Sequence, residues 1–470
     1  MLALLGRRRR SNQSQDLLRP VDRAWWRMES PSNLMMITAV VGFDRMPDLE
    51  RLRRRVRRRV EDIPRLRQRV DTPVGRRPRW VDAPVDLDAH VRHARLDHDG
   101  EAAIWDRVSR LMSTPLDRSR PLWALDALEG PSGGGVVLAR LHHSIADGVA
   151  LMLVLLSLTD TSAGAQEDAE NPLARLFRPG RRDTRAAVSF AASLFPGGIA
   201  LMRRSRSPRR AAGVRHLVRA ARSAYELLRM PFEPPSALRG PLQVAKRAAW
   251  SRPLELERVK ELAAAFDCTI NDFVTALVAG ALRRYFARSS QPPPVELRAA
   301  VPINLRTLEK MGELGNRFGL LFVPLPLDVA EMRERVAEVR RRIDARKGSM
   351  EPVVTFGILH LIGAGPRFIE DRVVDLFAKK VTAVMTNVPG PTRTLYLAGQ
   401  PIRSLVYWVP QTARVGLGIS VSSYAGRMWI GIAADVGLVE DPTALVDCVH
   451  DELDALEHLD APARAGLQLV

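Results

Sequence analysis

The sequence predicts a mixed α/β (α+β) protein with two domains, and three observations support this fold class. The chain has 470 residues, well above the ~150 of a typical domain. Segments typical of strands and segments typical of helices are mixed in both halves, without a short sequence repeat. A stretch of different composition separates the halves. We therefore expect domains at residues 1–160 and 248–470, joined by a basic, partly helical linker at residues 161–247.

The first half is expected to contain three strands and three helices. β-branched residues and apolar residues at helical spacing identify these elements. The predicted strands are residues 36–43, 122–128 and 136–141, and the predicted helices are residues 49–60, 102–112 and 148–158. The turn-rich segment GPSGGG, residues 130–135, separates the second and third strands and therefore predicts a hairpin.

The second half shows the same mixture of elements. The predicted helices are residues 254–266, 271–288, 329–347 and 441–459. The predicted strands are residues 296–303, 320–325, 381–386, 415–423 and 427–434. The last two strands flank Ala425 and Gly426, which predicts a second hairpin.

The positive charge of the chain is concentrated in the linker. The formal net charge is +18, from 71 basic and 53 acidic residues, which is typical of proteins that bind nucleic acid, membranes or anionic molecules. Residues 175–247 contain seventeen basic and three acidic side chains, a formal charge of +14. Apolar residues recur at helical spacing among the arginines of residues 214–228, which predicts a basic amphipathic helix. We expect it to bind an anionic membrane or lipid-droplet surface, and we expect no nucleic acid because no nucleic-acid motif accompanies the charge. A solvated helix, arginine-rich through codon usage, is the alternative.

The composition also bounds the compartment. The chain has two cysteines, Cys268 and Cys448, too few for a disulfide framework, so a reducing cytoplasm fits best. No apolar stretch reaches the ~20 residues that a bilayer-crossing helix needs. The first ten residues place apolar residues before the arginines, the wrong order for a secretory signal. We expect a cytoplasmic protein, peripherally associated with a membrane or lipid droplet.

One segment, LHHSIADG at residues 141–148, carries the residues of a reactive site and holds the only adjacent histidines. It lies where a predicted strand passes into a predicted helix, a place where folds present reactive groups. A neutral imidazole with a pKa near ~6.5 can accept a proton from a hydroxyl or thiol. Successive side chains of a strand alternate, so His142 and His143 should point in opposite directions. Asp147 can fix the loop by pairing with an arginine, and Gly148 is expected to permit a sharp turn.

Three other interpretations of this segment are weaker. A histidine in an apolar strand is often a packed core residue. His143 and Asp147 could be metal ligands, but no second cluster of Cys, His or Glu completes a site, and we expect no metal. A serine hydrolase would use the one Gly-x-Ser-x-Gly match, residues 130–134, which lies in a predicted hairpin turn and not at a strand-to-helix elbow.

The segment HHSIADG resembles the HHxxxDG signature of the chloramphenicol acetyltransferase-like superfamily. Further elements resemble, in order, those of the bacterial wax ester synthase/diacylglycerol acyltransferase family: VDRAWW (21–26), PLD (115–117), PLW (121–123), ND (271–272), PINLR (302–306), GNRFG (315–319) and TNVPGP (386–391). The resemblance extends from about residue 17 to residue 457. Ser144 stands where many relatives have a small apolar residue, and Ile303 where valine is common; neither departure removes a group needed for catalysis.

The resemblance implies two chloramphenicol acetyltransferase-like domains with an active-site tunnel between them. It implies transfer of a fatty acyl group from acyl-CoA to diacylglycerol or a long-chain alcohol, giving triacylglycerol or wax ester. His143 would be the general base and would then protonate the departing CoA thiolate, without an acyl-enzyme. His142, Asp147 and Gly148 would be structural. No cofactor is implied, because acyl-CoA is a co-substrate.

Roles in the second half of the chain are less determined. Asn271 is either the donor to the developing oxyanion or the N-cap of the helix that it begins. Asn304, Arg306 and Asn387 either line the substrate channel or stabilise turns, and Trp123 is either channel wall or core. Two other functions stay open: a condensation-type acyl or amide transferase that uses a carrier-protein thioester, and a non-catalytic lipid-binding relative.

Overall fold

Two mixed β-sheets, each covered by helices, form the frame of the protein. A computed structural model describes residues 17–165, 171–177, 185–194, 214–289, 292–307, 310–411 and 414–467. The helices within these residues are α1 (Pro20–Met28), α2 (Leu49–Asp62), α3 (Leu87–His90), α4 (Glu101–Met112), α5 (Gly148–Leu156), α6 (Arg185–Leu194), α7 (Val214–Arg229), α8 (Leu256–Ala265), α9 (Ile270–Arg288), α10 (Met332–Asp344), α11 (Glu351–Ala364), α12 (Arg367–Ala378) and α13 (Thr443–Leu467). The strands are β1 (Met36–Phe43), β2 (Gln68–Asp71), β3 (Arg79–Asp82), β4 (Val91–Arg95), β5 (Trp123–Glu129), β6 (Gly135–His142), β7 (Lys246–Trp250), β8 (Leu254–Glu255), β9 (Glu296–Asn304), β10 (Phe318–Pro326), β11 (Ala383–Val388), β12 (Tyr396–Leu397), β13 (Gln400–Pro401), β14 (Ser404–Trp408), β15 (Leu417–Tyr424) and β16 (Arg427–Asp435).

The first sheet presents the histidine segment at the end of β6. Its strand order is β14-β1-β6-β5-β4, with β4 and β5 parallel and the other pairs antiparallel. The hairpin predicted at residues 130–135 joins β5 to β6. Gly135 is needed there because a Cβ at this position would lie 2.0 Å from the Leu128 carbonyl oxygen.

The second sheet has seven strands in the order β10-β9-β11-β15-β16-β7, with β8 paired to β16. Strand β11 is parallel to both β9 and β15, and the other pairs are antiparallel. The predicted hairpin between β15 and β16 is confirmed: Ala425 and Gly426 have φ of 48° and 82°, the left-handed conformation that two-residue hairpin turns require.

The two sheets are connected through aromatic residues and an exchanged strand. The ring centroid of Trp250 in β7 lies 5.8 Å from the ring centroids of both Trp105 in α4 and Trp408 in β14. Strand β14 follows most of the second sheet in sequence but forms the edge of the first sheet, beside β1. The predicted boundaries at residues 160 and 247 stay a prediction, and this strand crosses between the sheets that they separate.

The predicted mixed α/β class is confirmed, and most of the predicted elements are present with ends shifted by a few residues. The predicted helix at 254–266 begins instead with the short strand β8. The sequence did not predict several elements: α1, α3, α11, α12, β2, β3, β4, β7, β12, β13 and β14. Among these, α1, α11 and α12 form walls of the site described below.

The linker is described in part. Helix α7 confirms the amphipathic helix predicted at residues 214–228, and α6 and a short 3₁₀ helix, Pro172–Leu176, also lie in this region. Many basic residues of the linker lie outside the described residues, in the ranges 166–170, 178–184 and 195–213. Among the helices described, none is alone long and apolar enough to span a membrane; α8 and α9 meet that criterion only as a pair, bent by 91°.

Candidate active site

His143 follows β6 directly, and its backbone is tied to two other elements. Its N–H donates to the Met35 carbonyl (2.7 Å), and its carbonyl accepts from Asn316 Nδ2 (2.8 Å). Asn316 belongs to the GNRFG segment before β10, so the two halves of the chain meet at this residue. The side chain is 3% exposed and lines the large cavity between the sheets. The position of the imidazole is therefore fixed from both sides.

Aromatic rings hold the His143 imidazole. Trp25 of α1 stacks on it with ring centroids 4.1 Å apart and planes inclined by 15°, and Phe318 of β10 lies 5.5 Å away. Nδ1 is buried without a hydrogen-bond partner among the described residues. Burial lowers the pKa of His143 from 6.5 to about 4, although the nearby Asp147 carboxylate raises it. The imidazole is consequently neutral at pH 7 and can accept a proton.

Helix α1 is anchored beneath His143 by a buried carboxylate. Asp22 Oδ1 accepts from the backbone N–H (3.0 Å) and from Nδ2 (2.8 Å) of Asn316. Burial raises the pKa of Asp22 to about 6, although the hydrogen bonds from Asn316 lower it. Asn316 thus connects α1 to the His143 carbonyl, and this places Trp25 against the imidazole.

His142 occupies a different environment from His143, as the strand alternation predicts. Its Nδ1 accepts from the Ser144 N–H (3.0 Å), so the ring hydrogen is on Nε2, which lies 2.9 Å from the Glu29 carboxylate. Ser144 Oγ also lies 2.8 Å from Nδ1. Burial acts to raise the pKa of Glu29, but His142 and Arg118 outweigh it and lower this pKa to about 2. His142 is therefore fixed by a buried polar network, and its predicted structural role stays a prediction.

Asp147 joins three of the sequence elements. Its Oδ1 accepts from the Ala150 N–H (3.0 Å) and caps α5. Its Oδ2 accepts from Arg306 Nη2 (2.7 Å) and from the Arg317 N–H (3.0 Å). Both carboxylate oxygens are thus engaged with other partners than His143. Arg306 is 0% exposed and also donates to the Gly315 carbonyl (2.7 Å). This ion pair fixes HHSIADG, PINLR and GNRFG against one another.

Gly148 corrects one sequence prediction. It is the first residue of α5, its φ is not in the left-handed region, and a Cβ would only touch Val409 at 4.0 Å. The conformation of the chain after Asp147 therefore does not require glycine at this position, contrary to our expectation. Gly148 lines the cavity, so a larger side chain here would occupy substrate space.

The cavity has a volume of about 190 Å³ and is mostly apolar. One wall consists of alternate residues of β9 and β10, a second of the inner faces of α11 and α12, and a third of α5. The residues that form these walls are Ala300, Pro302, Asn304, Phe318, Leu320, Phe322, Thr355, Ile358, Leu359, Ile362, Val373, Val374, Phe377, Ala378, Val149, Leu151, Met152 and Leu155. The apolar lining suits a hydrocarbon chain, and the His143 imidazole is one of few polar groups in contact with it.

The structure brings only some of the predicted channel residues to this cavity. Asn304 and Asn387 line it, whereas Arg306 pairs with Asp147. Trp123 lies outside the lining. Its ring stacks on His90, and its Nε1 donates to the Leu66 carbonyl (2.8 Å) within the hydrophobic core that packs on the first sheet. The channel-wall interpretation of Trp123 is therefore wrong, because β5 directs its ring into the core beneath the sheet.

Asn271 is not placed beside His143. It is exposed, does not line the cavity, and accepts from Asn387 Nδ2 at 3.3 Å. Its interpretation as a helix cap is wrong, because Thr269 caps α9 and forms a capping box with Asp272. Its role as oxyanion donor stays a prediction, and the contact with Asn387 is its connection to the cavity.

Sequence reasoning missed four residues that hold the histidines: Trp25, Glu29, Asn316 and Phe318. Three of them lie in the VDRAWW and GNRFG segments, which were noted only for their resemblance. No local signal shows that a tryptophan 118 positions before His143 stacks on its ring. No local pattern marks the contact of Glu29 with His142 either, because the two residues are far apart in the sequence.

The lowered pKa of His143 predicts how acyl transfer depends on pH. A base must be unprotonated, so kcat/KM should stay near its maximum from pH 7 down to about pH 5 and fall tenfold per unit below about pH 4. An imidazole with an ordinary pKa would have lost half the rate at pH 6.5. The measurement is kcat/KM against pH with saturating acceptor, and an acid limb with a midpoint at or above pH 6.5 would contradict this assignment.

Two controls belong to that experiment. Asp22, with its pKa raised to about 6, titrates within the pH range of the measurement. The variant Asp22→Asn removes this titration and keeps an oxygen that accepts from Asn316. Stability must be measured at each pH as well. The folded pKa of His143 lies below its ordinary value, so the stability that depends on its neutral form is complete above pH 6.5 and is lost as the pH falls from 6.5 towards 4.

Comparison with protein families gives two matches that together cover most of the chain. Residues 18–274 match the family described as wax ester synthase/diacylglycerol acyltransferase catalytic domain. Residues 314–457 match the family described as WS/DGAT C-terminal domain. The first match alone includes more than half of the chain, together with HHSIADG.

Similar proteins have been named as acyltransferases. A probable diacylglycerol O-acyltransferase of Mycobacterium tuberculosis (strain CDC 1551) is 28% identical over 388 residues, 81% of this chain and 81% of that protein. A second, putative diacylglycerol O-acyltransferase of Mycobacterium tuberculosis (strain H37Rv) is 28% identical over 472 residues, 92% of this chain and 91% of that protein.

Solved structures show the same fold. The wax ester synthase/diacylglycerol acyltransferase from Marinobacter aquaeolei VT8 superposes with a TM-score of 0.69 at 21% identity, covering 95% of this chain and 100% of that one. The first condensation domain of the calcium-dependent antibiotic synthetase gives 0.59 at 15% identity, covering 93% and 96%. At these identities the similarity establishes the fold, and it confirms the predicted architecture.

Proposed function

Because the chain belongs to the wax ester synthase/diacylglycerol acyltransferase family and is an acyltransferase, we propose that it transfers a fatty acyl group from acyl-CoA to diacylglycerol or a long-chain alcohol. The observation that carries the proposal is His143: a neutral, rigidly held imidazole that lines an apolar cavity. The names of the similar proteins favour diacylglycerol as acceptor.

The reaction needs one group that accepts and then returns a proton. The His143 imidazole takes the proton of the acceptor hydroxyl as the oxygen attacks the thioester carbon. The carbonyl electrons move to the carbonyl oxygen, and a tetrahedral intermediate forms. When the C=O bond reforms, the C–S bond breaks, and the thiolate of CoA takes the proton from the imidazolium. The ester and free CoA leave, and His143 is neutral again without an acyl-enzyme.

The fixed ring and the apolar cavity both favour this reaction. Trp25 and the two backbone hydrogen bonds of His143 hold the ring in one orientation, so little ordering is needed when the acceptor binds. The apolar walls exclude water, which would otherwise compete with the alcohol as nucleophile. The same walls accommodate acyl chains.

The acceptor is tested by direct competition. Purified protein is given palmitoyl-CoA with equal amounts of diacylglycerol and hexadecanol, free CoA is followed by its thiol, and the esters are separated by chromatography. We expect CoA release with triacylglycerol as the main product. Turnover of a carrier-protein thioester, with none of palmitoyl-CoA, would instead support the condensation-type alternative. Absence of turnover with either donor would leave the non-catalytic alternative.

We also propose that α7 docks the enzyme on an anionic membrane or lipid-droplet surface. Leu217, Tyr225 and Leu228 form an apolar stripe along the helix and are 74%, 57% and 63% exposed. By helical spacing Arg222 and Arg229 lie on one side of this stripe; both are exposed, and Arg229 Nη1 donates to the Tyr225 hydroxyl (2.7 Å). A helix with an exposed apolar stripe next to cationic residues is typical of attachment to a lipid interface.

The remaining face of α7 attaches it to the cavity wall. Leu227 is buried, Lys380 Nζ donates to the carbonyls of Leu227 (2.7 Å) and Leu228 (2.8 Å), and Ser223 Oγ lies 3.5 Å from Ser349 Oγ beside α11. The inner face of α11 lines the cavity. Attachment through α7 would therefore bring the cavity close to its lipid substrates.

Flotation with anionic liposomes tests the docking. Replacing Leu217, Tyr225 and Leu228 by serine is expected to reduce bound protein by at least about tenfold, because it removes the apolar surface that enters the interface. The matched control replaces three exposed valines elsewhere, Val74, Val244 and Val295, by serine and should bind like the wild type. Equal binding of both variants would refute docking through α7.

A further inference from the structure

We propose that Asn304 is a second catalytic residue: its side-chain amide donates a hydrogen bond to the thioester carbonyl oxygen as this oxygen becomes negatively charged. The inference rests on the proposed function in one respect, the thioester donor, and applies to a thioester on any carrier. The reaction develops an oxyanion, and a fixed donor at that atom is typically the largest single contribution to such catalysis.

Asn304 lies on the same side of the second sheet as the ring that touches His143. In the antiparallel pair β9–β10, Asn304 is directly opposite Phe318. Opposed side chains project from the same face, with Cβ atoms ~5 Å apart, and the Phe318 ring lies 5.5 Å from the His143 ring. The amide is therefore one side chain away from the base.

The same face forms a wall of the cavity. Three opposed pairs of β9 and β10 line it: Ala300 with Phe322, Pro302 with Leu320, and Asn304 with Phe318. Asn304 is the polar member of these six. An acyl chain that lies along this apolar wall would therefore have its reacting carbonyl at the polar end of the wall, beside Phe318.

The amide group is oriented and has a free donor. Its Oδ1 accepts from the Arg306 N–H at 2.9 Å, which determines that the other end of the amide is the nitrogen. Nδ2 is buried and has no hydrogen-bond partner among the described residues. A buried donor without a partner is energetically unfavourable, and a substrate oxygen that accepts from it would remove this cost.

The turn that orients Asn304 is itself rigid. Arg306, two residues later, is fully buried and paired with Asp147, four residues after His143. The base and the amide donor are thus connected through one buried ion pair. Such pre-organisation is what makes an oxyanion donor effective, since no group has to reorient during the reaction.

Other donors at the cavity are less suitable. Thr386 Oγ1 is also buried and lines the cavity, but it has no hydrogen-bond partner in the described part of the chain that would fix the direction of its hydroxyl. The amide of Asn387 donates to Asn271, and Asn271 is exposed outside the lining. Among the described residues, Asn304 combines a fixed donor with direct placement beside Phe318.

The test begins with Asn304→Asp, which keeps an oxygen to accept from the Arg306 N–H and replaces the donor NH₂ by oxygen. We expect kcat to fall by about 10²-fold, with KM for acyl-CoA changed by less than about threefold. Asn304→Ser, whose hydroxyl can accept from Arg306 but is too short to replace the amide nitrogen, separates loss of the donor from added charge. It also serves if the aspartate variant does not fold. A tenfold or smaller loss in both variants, or a large loss in Thr386→Val instead, would overturn the proposal.

An acyl substrate in which sulfur replaces the thioester carbonyl oxygen distinguishes a catalytic role of Asn304 from a structural one. The C=S sulfur of the dithioester analogue of palmitoyl-CoA accepts hydrogen bonds weakly. With this acyl substrate, the kcat of the wild type should therefore exceed that of the variants by only a few-fold. If Asn304 only maintains the shape of the site, the variants lose kcat by the same factor with palmitoyl-CoA and with its dithioester analogue, and the proposal is wrong. The function is assessed separately: if wild type uses only a carrier-protein thioester, acyl-CoA transfer fails, and the same oxygen-for-sulfur comparison is made on that thioester.

Discussion

Replacement of His143 with alanine is expected to reduce CoA release by about 10²–10⁴-fold, the range that a positioned general base contributes. The imidazole is stacked on Trp25 at 4.1 Å and is neutral at pH 7 because burial lowers its pKa to about 4. Thiol release from palmitoyl-CoA in the presence of diacylglycerol measures the effect.

Two further variants make this result specific. His143→Gln keeps a side chain of similar size against Trp25 and should be as inactive as the alanine variant. His98→Ala removes an exposed histidine in a surface loop and should retain the wild-type rate. Activity of His143→Ala within tenfold of the wild type would refute the assignment of the base.

Replacement of Asp147 with alanine is expected to lower the free energy of unfolding by about 3–5 kcal/mol. The reason is that Arg306, 0% exposed, would keep its charge in the interior without the carboxylate that pairs with it. The loss of the cap of α5 adds about 1 kcal/mol. Urea unfolding followed by tryptophan fluorescence measures the change, and acyl transfer should be lost with it because Arg306 holds the cavity wall.

The contributions of the ion pair and the cap can be separated. Asp48→Ala removes the side-chain cap of α2, whose Oδ1 accepts from Arg51 N–H on the surface, and should cost only about 1 kcal/mol. The double variant Asp147→Asn/Arg306→Met removes both charges and should be more stable than Asp147→Ala. If Asp147→Ala unfolds like Asp48→Ala, the pair does not hold the three segments together.

The sequence was sufficient for elements with strong local patterns. The strand end at His142 and His143, the helix that follows Asp147, and the hairpin at Gly135 all depend on residues close in sequence. The cap of α9 could also have been identified from the Thr269–Asp272 spacing, which is typical of a capping box. Asn271, which we considered as the cap, lies within the helix.

The rest of the site depends on pairings between distant residues. An arginine partner for Asp147 was anticipated, but Arg306 lies 159 residues away, and many arginines were available to choose from. Strand β14 adds to a sheet whose other strands precede it by hundreds of residues. The sequence left a channel-wall role open for Trp123 beside the more usual core role, and β5 determines the direction of its ring. Such choices are determined by packing, and not by local sequence.

The proposed mechanism depends above all on the protonation state of the His143 imidazole. NMR titration of the protein with labelled histidine, with the resonance assigned by its loss in His143→Gln, gives the pKa of this ring. We predict a pKa near 4, set by burial against Trp25 and Phe318, and the same value for the acid limb of kcat/KM. A pKa at or above 6.5 would contradict a buried, neutral base in this cavity.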